Sequence, residues 1–117
     1  MSVYSLASST WDQKELSAIK AVIDSDMFTM GKHVEDYETQ FANFFGSRFA
    51  LMVNSGSTAN LLMIASLFFT HNKVYRLKRG DEVIVPAVSW STTYFPLQQY
   101  GLKVKFVDID RETLNID

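Results

Sequence analysis

The sequence predicts an α/β fold of three layers, in which a mostly parallel sheet lies between flanking helices. After two helical patterns, apolar runs and helical patterns alternate in the order β-α-β-α-β, which is typical of parallel strands joined by crossover helices. The first run, residues 49–53, is uninterrupted, as in a strand covered on both faces. The last, residues 103–107, alternates lysines with apolar residues, as expected at a sheet edge.

Two amphipathic helices are predicted ahead of the sheet. Thr10 and Gln13 have the spacing of a capping box for a helix over 11–24, where apolar residues recur every three or four positions. A second helix begins at Lys32 and ends at Gly46, a residue that tolerates positive φ after a helix. We therefore assign residues 1–31 to an N-terminal helix with its connection, and residues 32–117 to an incomplete larger domain.

The elements of the sheet region follow from turn residues and from the length of each apolar run. In order, they are a strand at 49–53, a helix at 59–70, a polar basic loop at 71–79, a strand at 82–85 halted by Pro86, a loop at 88–93, a helix at 94–100 capped by Gly101, and a strand at 103–107.

Composition limits the possible partners. The chain has 117 residues, enough for one modest domain, with 11 basic and 13 acidic side chains and a net charge of -2. This balance gives no electrostatic reason to expect nucleic acid or a membrane as partner, and the longest apolar run is too short for a bilayer span. The absence of cysteine excludes disulfides and thiolate ligands, and fits the cytoplasmic location that we expect.

The loop after the first predicted strand is a candidate phosphate site. Asn54 and Ser55 are followed by Gly56, Ser57 and Thr58, which open directly into a helix. Free N–H groups and the helix dipole at such a start suit a phosphate, and glycine allows close approach of the backbone. The alternative is an ordinary helix cap, because small polar residues are common at helix starts.

The loop after the second predicted strand contains Trp90 among small hydroxyl residues. At the carboxyl end of a strand, this indole could lie against a flat ligand ring. Alternatively, Trp90 packs into the core of the crossover. Neither loop contains a dinucleotide-binding or Walker-type glycine pattern.

No catalytic or metal-binding residue is predicted. His33 and His71 lack a second ligand at metal spacing and are expected on the surface. Asp108 and Asp110 could form an acid pair, although capping of the local loop explains them better. The basic loop at 71–79 is expected to be solvated, and no lysine has the setting of a Schiff-base former.

In combination, the motifs closely resemble the DegT/DnrJ/EryC1/StrS family of pyridoxal-phosphate-dependent sugar aminotransferases and related dehydratases, of fold type I. The resemblance covers almost the whole chain from Thr10. The segments that carry it are Gly31-x-x-Val34-Glu35 with Phe41-Ala42, residues 54–61 (NSGSTANL), residues 80–86 (GDEVIVP) and residues 106–110 (FVDID).

The resemblance implies roles for residues already singled out. Gly56, Ser57 and Thr58 match the loop that binds the phosphate of pyridoxal 5'-phosphate, and Trp90 matches an aromatic residue stacked on its ring. The segment Thr29, Met30 and Gly31 matches one that borders the sugar-nucleotide site. A nucleotide sugar and an amino donor are the implied substrates, and a homodimer is the implied assembly.

Two functions within the family stay open. The main prediction is the N-terminal part of a nucleotide-sugar aminotransferase that serves surface-polysaccharide synthesis. The alternative is a sugar 3-dehydratase, because the long connection at 70–79 is similar to the dehydratase branch. In the family, the catalytic lysine or histidine and the aspartate facing the ring nitrogen follow the segment matched here, so this chain alone is not expected to catalyse the reaction.

The resemblance also implies an incomplete sheet. In the family the first strand lies far from the second, and later strands fill the gap. Residues 49–53 would then have unpaired backbone groups, each costing about 1–3 kcal/mol if kept dry. We expect a marginally stable fragment unless strands rearrange or a second copy completes the sheet. A further alternative is a catalytically silent binding or assembly module that keeps the family's surface and has lost its chemistry. Outside the family, the alternative is an unrelated flavodoxin-like phosphate binder.

Overall fold

The computed structural model describes residues 7–117, which fold into two compact units, residues 7–52 and Val53–Asp117. The first unit holds helices α1 (Gln13–Asp24) and α2 (Lys32–Phe45). The second holds α3 (Gly56–Phe69), β1 (Glu82–Pro86), α4 (Ser91–Gln99) and β2 (Lys103–Val107). The division into 1–31 and 32–117 stays a prediction, and residues 1–6 of its first part lie outside the described residues.

Helix α1 begins two residues later than predicted. Its N-cap is Asp12, whose carboxylate accepts the N–H of Lys14 at 2.6 Å, while the carboxylate of Glu15 accepts the N–H of Asp12 at 2.7 Å. The prediction of a Thr10–Gln13 capping box was therefore wrong. Two carboxylates make stronger, charge-assisted hydrogen bonds than a hydroxyl and an amide. Their negative charges are also stabilised by the positive end of the helix dipole.

Helix α2 ends as predicted. Gly46 has a φ of 64°, and the N–H of Ser47 donates to the carbonyl of Ala42 at 2.9 Å, which closes the helix with a left-handed turn. Aromatic side chains follow one another along the helix, with ring centroids of Phe41 and Phe45 4.6 Å apart.

The first predicted strand does not form. Residues 49–53 are irregular and form no ladder, and Phe49 and Leu51 are 76% and 69% exposed. Among these residues, the N–H of Met52 donates to the carboxylate of Glu38 at 2.7 Å. The apolar run has the composition of a buried strand, but a strand needs a neighbouring strand to satisfy its backbone. Within residues 7–117 the sheet consists of β1 and β2 alone.

The core of the second unit lies between its sheet and its helices. β1 and β2 pair in parallel, with Val83 opposite Val104, which confirms the predicted parallel crossover arrangement. Val85, Leu97 and Leu102 are buried at its centre, and half-buried residues of α3, including Phe68, pack around them. The lysines of β2 are exposed, as predicted for an edge strand.

Both helices of the second unit begin three residues earlier than predicted. In α3, Gly56 to Thr58 form the first turn instead of preceding it, and Ser55 is the N-cap. In α4, the first turn begins at Ser91. Small and hydroxyl residues are tolerated there because the first-turn N–H groups have no intrahelical acceptors. Hydrogen bonds from these N–H groups to nearby side chains therefore replace no hydrogen bond of the helix.

Candidate functional site

The candidate site lies where α3 and α4 pack against each other in the second unit. Their first turns and the adjoining helix surfaces form a groove of about 190 Å³. Complete ligand pockets measure roughly 300–1,000 Å³, so this groove has room for part of a ligand only. Its walls are formed by Ser57, Thr58, Leu61, Thr92, Phe95, Pro96 and Gln99.

Hydrogen bonds fix the polar side chains at the first turn of α3. The hydroxyl oxygen of Ser55 accepts the N–H of Thr58 at 3.2 Å, and the Thr58 hydroxyl donates to the side-chain oxygen of Asn54 at 2.6 Å. Within residues 7–117, the N–H groups of Gly56 and Ser57 have no hydrogen-bond acceptor. Two unpaired donors at the positive end of a helix dipole can bind one phosphate group.

Gly56 has no internal reason to be glycine. Its φ lies outside the left-handed region, and a Cβ built on it would meet no atom within 4 Å. Open space therefore adjoins the Cα of Gly56. This is the setting expected if a ligand, rather than the chain itself, approaches the backbone closely at this position.

Trp90 directly precedes helix α4, whose residues line the groove, but Trp90 itself is not one of the lining residues. It is the N-cap residue of α4, and its indole is 75% exposed, so it is not packed into the core. The loop that holds it is fixed at both ends. The N–H of Ala87 donates to the carbonyl of Val107 at 2.8 Å, and the hydroxyls of Ser89 and Thr93 lie 3.0 Å apart.

The predicted substrate segment belongs to the first unit. Gly31 is the N-cap residue of α2, and its carbonyl accepts the N–H groups of Val34 and Glu35 at 3.0 and 3.1 Å. Thr29 and Met30 are exposed just before it. A role for these three residues in substrate binding stays a prediction.

Four groove residues were not singled out by the sequence. Thr92, Phe95, Pro96 and Gln99 recur every three or four positions and so share one face of α4. This spacing was a usable signal. It was missed because the helix was predicted to begin at residue 94, which left Thr92 outside the periodic pattern.

The remaining candidates have structural explanations. The carboxylate of Asp110 accepts the N–H of Thr113 at 2.6 Å and that of Glu112 at 3.1 Å, which confirms that it caps its own loop. The Thr113 bond is also the main reason that the pKa of Asp110 lies below its ordinary value. Along the basic loop, Arg76 is exposed and its Nε donates to the carbonyl of Phe68 at 3.1 Å.

Residues 7–117 hold no cluster of histidine and acidic side chains suited to a metal ion. They also hold no helix with the length and apolar character that crossing a membrane requires.

The α/β fold is shared with solved enzymes of fold type I, the pyridoxal-phosphate-dependent class. The chain belongs to the DegT/DnrJ/EryC1/StrS aminotransferase family, whose profile matches residues 9–117. This confirms the resemblance and the α/β fold class predicted from the sequence.

Among its relatives are GDP-4-keto-6-deoxy-D-mannose 3-dehydratases of two bacteria. The Yersinia pseudotuberculosis protein is 72% identical over 114 residues, which are 97% of this chain and 28% of that protein. The Escherichia coli O55:H7 protein is 74% identical over 97% of this chain and 29% of its own length. The chain thus spans less than a third of these relatives.

Solved structures agree with this assignment. The E. coli GDP-4-keto-6-deoxy-D-mannose-3-dehydratase with bound hydrated PLP superimposes with a TM-score of 0.88, at 72% identity, over 98% of this chain and 29% of that one. A Streptococcus pneumoniae protein described as a sugar aminotransferase shares the fold, with a TM-score of 0.77 at 22% identity over 92% of this chain and 25% of that one.

Proposed function

We propose that this chain is the N-terminal part of a pyridoxal-phosphate-dependent 3-dehydratase that acts on GDP-4-keto-6-deoxymannose. The observation that carries the proposal is the identity of 72–74% to dehydratases of this name. The aminotransferase, which was the main prediction from the sequence, has weaker support, because the protein so described is only 22% identical.

The part of this chain in the reaction is to bind the cofactor phosphate. Gly56 and Ser57 supply unpaired N–H groups, and the dipole of the 14-residue helix α3 favours the negative charge. The Ser57 hydroxyl lines the same groove and adds a third donor. When bound, pyridoxal phosphate supplies the electron sink for the substrate carbon.

Trp90 and the segment from Thr29 to Gly31 are proposed to contact the cofactor ring and the substrate. The exposed indole offers a flat apolar face for the pyridine ring, and the segment borders the nucleotide sugar. In the whole enzyme, which we propose to be a homodimer, the catalytic base and the acid facing the ring nitrogen come from outside this chain.

The phosphate site can be tested on the chain itself. Pyridoxine 5'-phosphate is a suitable probe because it lacks the aldehyde and cannot react with surface lysines. We expect it to shift the NMR amide signals of Gly56, Ser57 and Thr58, whereas pyridoxine without the phosphate should leave them unchanged. Equal responses to both compounds, or shifts confined to other residues, would contradict the proposed phosphate site.

The reaction can be tested with a chimera. Residues 1–117 of this chain would replace the matching segment of the E. coli O55:H7 dehydratase, to which it is 74% identical. We expect a folded enzyme that loads pyridoxal phosphate and dehydrates GDP-4-keto-6-deoxymannose. An amino sugar as the main product would favour the aminotransferase. A chimera that folds and loads the cofactor but forms neither product would point to a silent module.

A further inference from the structure

Helix α4 contains a proline that leaves one of its carbonyl groups without the usual donor. Pro96 is the sixth of its nine residues and is buried. In an α-helix the carbonyl of residue i accepts the N–H of residue i+4, and proline has no N–H. The carbonyl of Thr92 therefore loses its intrahelical partner. A partly buried carbonyl in this position needs a donor from elsewhere.

The donor comes from α3. The side-chain Nδ2 of Asn60 donates to the carbonyl oxygen of Thr92 at 3.1 Å, across 32 positions in the sequence. Both residues are half-buried, so water competes less for this bond than on the open surface. Asn60 lies one turn after Gly56, and Thr92 lies in the first turn of α4.

We propose that Asn60 is a positioning residue that sets the spacing between the phosphate-binding turn and the start of α4. Ser57 and Thr58 stand on one wall of the groove and Thr92 on the other. The bond from Asn60 joins these two walls, and Pro96 makes it possible because it leaves the Thr92 carbonyl available. The importance of this spacing for cofactor binding rests on the proposed function.

The two residues should therefore act as a pair. Asn60→Asp keeps the shape of the side chain but removes the donor and brings a negative charge towards the carbonyl. Pro96→Ala restores an N–H that can bond to Thr92 within α4. In the Pro96→Ala background the carbonyl no longer depends on Asn60, so loss of the asparagine donor should matter less.

A double-mutant cycle tests this coupling on the chain itself. We expect Asn60→Asp to lower the folding equilibrium constant about five- to tenfold with Pro96 present, and less than about twofold with Pro96→Ala. Asn43→Asp, on the exposed surface of α2, serves as the matched control. Equal effects of Asn60→Asp in both backgrounds would overturn the proposal.

A measurement on the unaltered chain guards against variants that fail to fold. NMR coupling across the hydrogen bond, between Nδ2 of Asn60 and the carbonyl carbon of Thr92, should be detectable. Its absence, together with fast exchange of the Asn60 side-chain amide, would also overturn the proposal.

The positioning role is separated from a stabilising one by ligand affinity. The double variant Asn60→Asp/Pro96→Ala should be stable but lack the bond between the two walls. We expect its affinity for pyridoxine 5'-phosphate to stay reduced about threefold or more, and Asn60→Leu/Pro96→Ala, which adds no charge near the phosphate, to show the same reduction. Full recovery of affinity would show that Asn60 only stabilises the fold. If the unaltered chain does not bind this probe, the proposed phosphate site fails. The double-mutant cycle still decides whether the hydrogen bond from Asn60 to Thr92 joins the two helices.

Discussion

The hydroxyl of Tyr94 donates to the carbonyl of Pro86 at 2.8 Å, and so ties helix α4 to the last residue of β1. The ring of Tyr94 also meets that of Phe106 edge-on, with centroids 5.1 Å apart. One side chain thus anchors the loop that carries Trp90 to both strands of the sheet.

Tyr94→Phe should separate these two contributions. The ring contact with Phe106 is kept, but the Pro86 carbonyl loses its donor, so we expect a loss of about 1 kcal/mol in the free energy of unfolding. Urea unfolding of the chain measures it. Tyr75→Phe, at an exposed position in the basic loop, is the control and should change stability little. Similar losses for both variants would contradict a specific role for the Tyr94 hydroxyl.

Leu97→Ala should unfold much of the second unit. Leu97 is 4% exposed at the centre of a small core, and truncation of a buried leucine costs about 2–5 kcal/mol. Few other buried side chains can compensate, so we expect a clear loss of helical signal in far-ultraviolet circular dichroism. Leu51→Ala is the matched control because Leu51 is exposed. A native spectrum and unchanged urea midpoint for Leu97→Ala would disprove this core assignment.

The loop at Asp110 should loosen in acid. Its carboxylate accepts the N–H of Thr113, which lowers its folded pKa below the ordinary value of 3.8. A carboxyl group whose pKa is lower in the folded than in the unfolded state stabilises the fold at pH values above its unfolded pKa. This stabilisation is lost as the pH falls through the folded pKa. We expect the Thr113 amide signal to titrate with a midpoint below 3.8. Asp110→Asn should remove that titration, and a midpoint at or above the ordinary value would refute the bond.

The exposed apolar segment at 49–53 should promote self-association. Phe49 and Leu51 are largely exposed, next to backbone groups without strand partners, and such segments pair readily with other chains. We expect concentration-dependent association in sedimentation velocity. Replacing both residues by serine should reduce it without lowering the stability of the second unit. A monomer at all concentrations, unaffected by these substitutions, would argue against it.

Local patterns predicted much of the fold because local physics determines those features. Gly46 ends α2 because a residue without Cβ accepts the left-handed turn, and residues 103–107 form the expected exposed-face strand. The turn proposed to bind phosphate was also visible in the sequence, since it consists of consecutive residues. The choice of Asp12 over Thr10 was missed because both fit the capping pattern and only the competing hydrogen bonds decide between them.

The sequence by itself determined the family, the C-terminal ends of the helices and the two loops of the candidate site, because each depends on residues that are near one another along the chain. The family resemblance implied that residues 49–53 lack neighbouring strands, but only the tertiary structure decided that they form no strand, since a strand depends on a distant neighbour. It alone revealed that Asn60 supplies the donor that Pro96 withholds from Thr92, because that bond joins positions far apart in sequence.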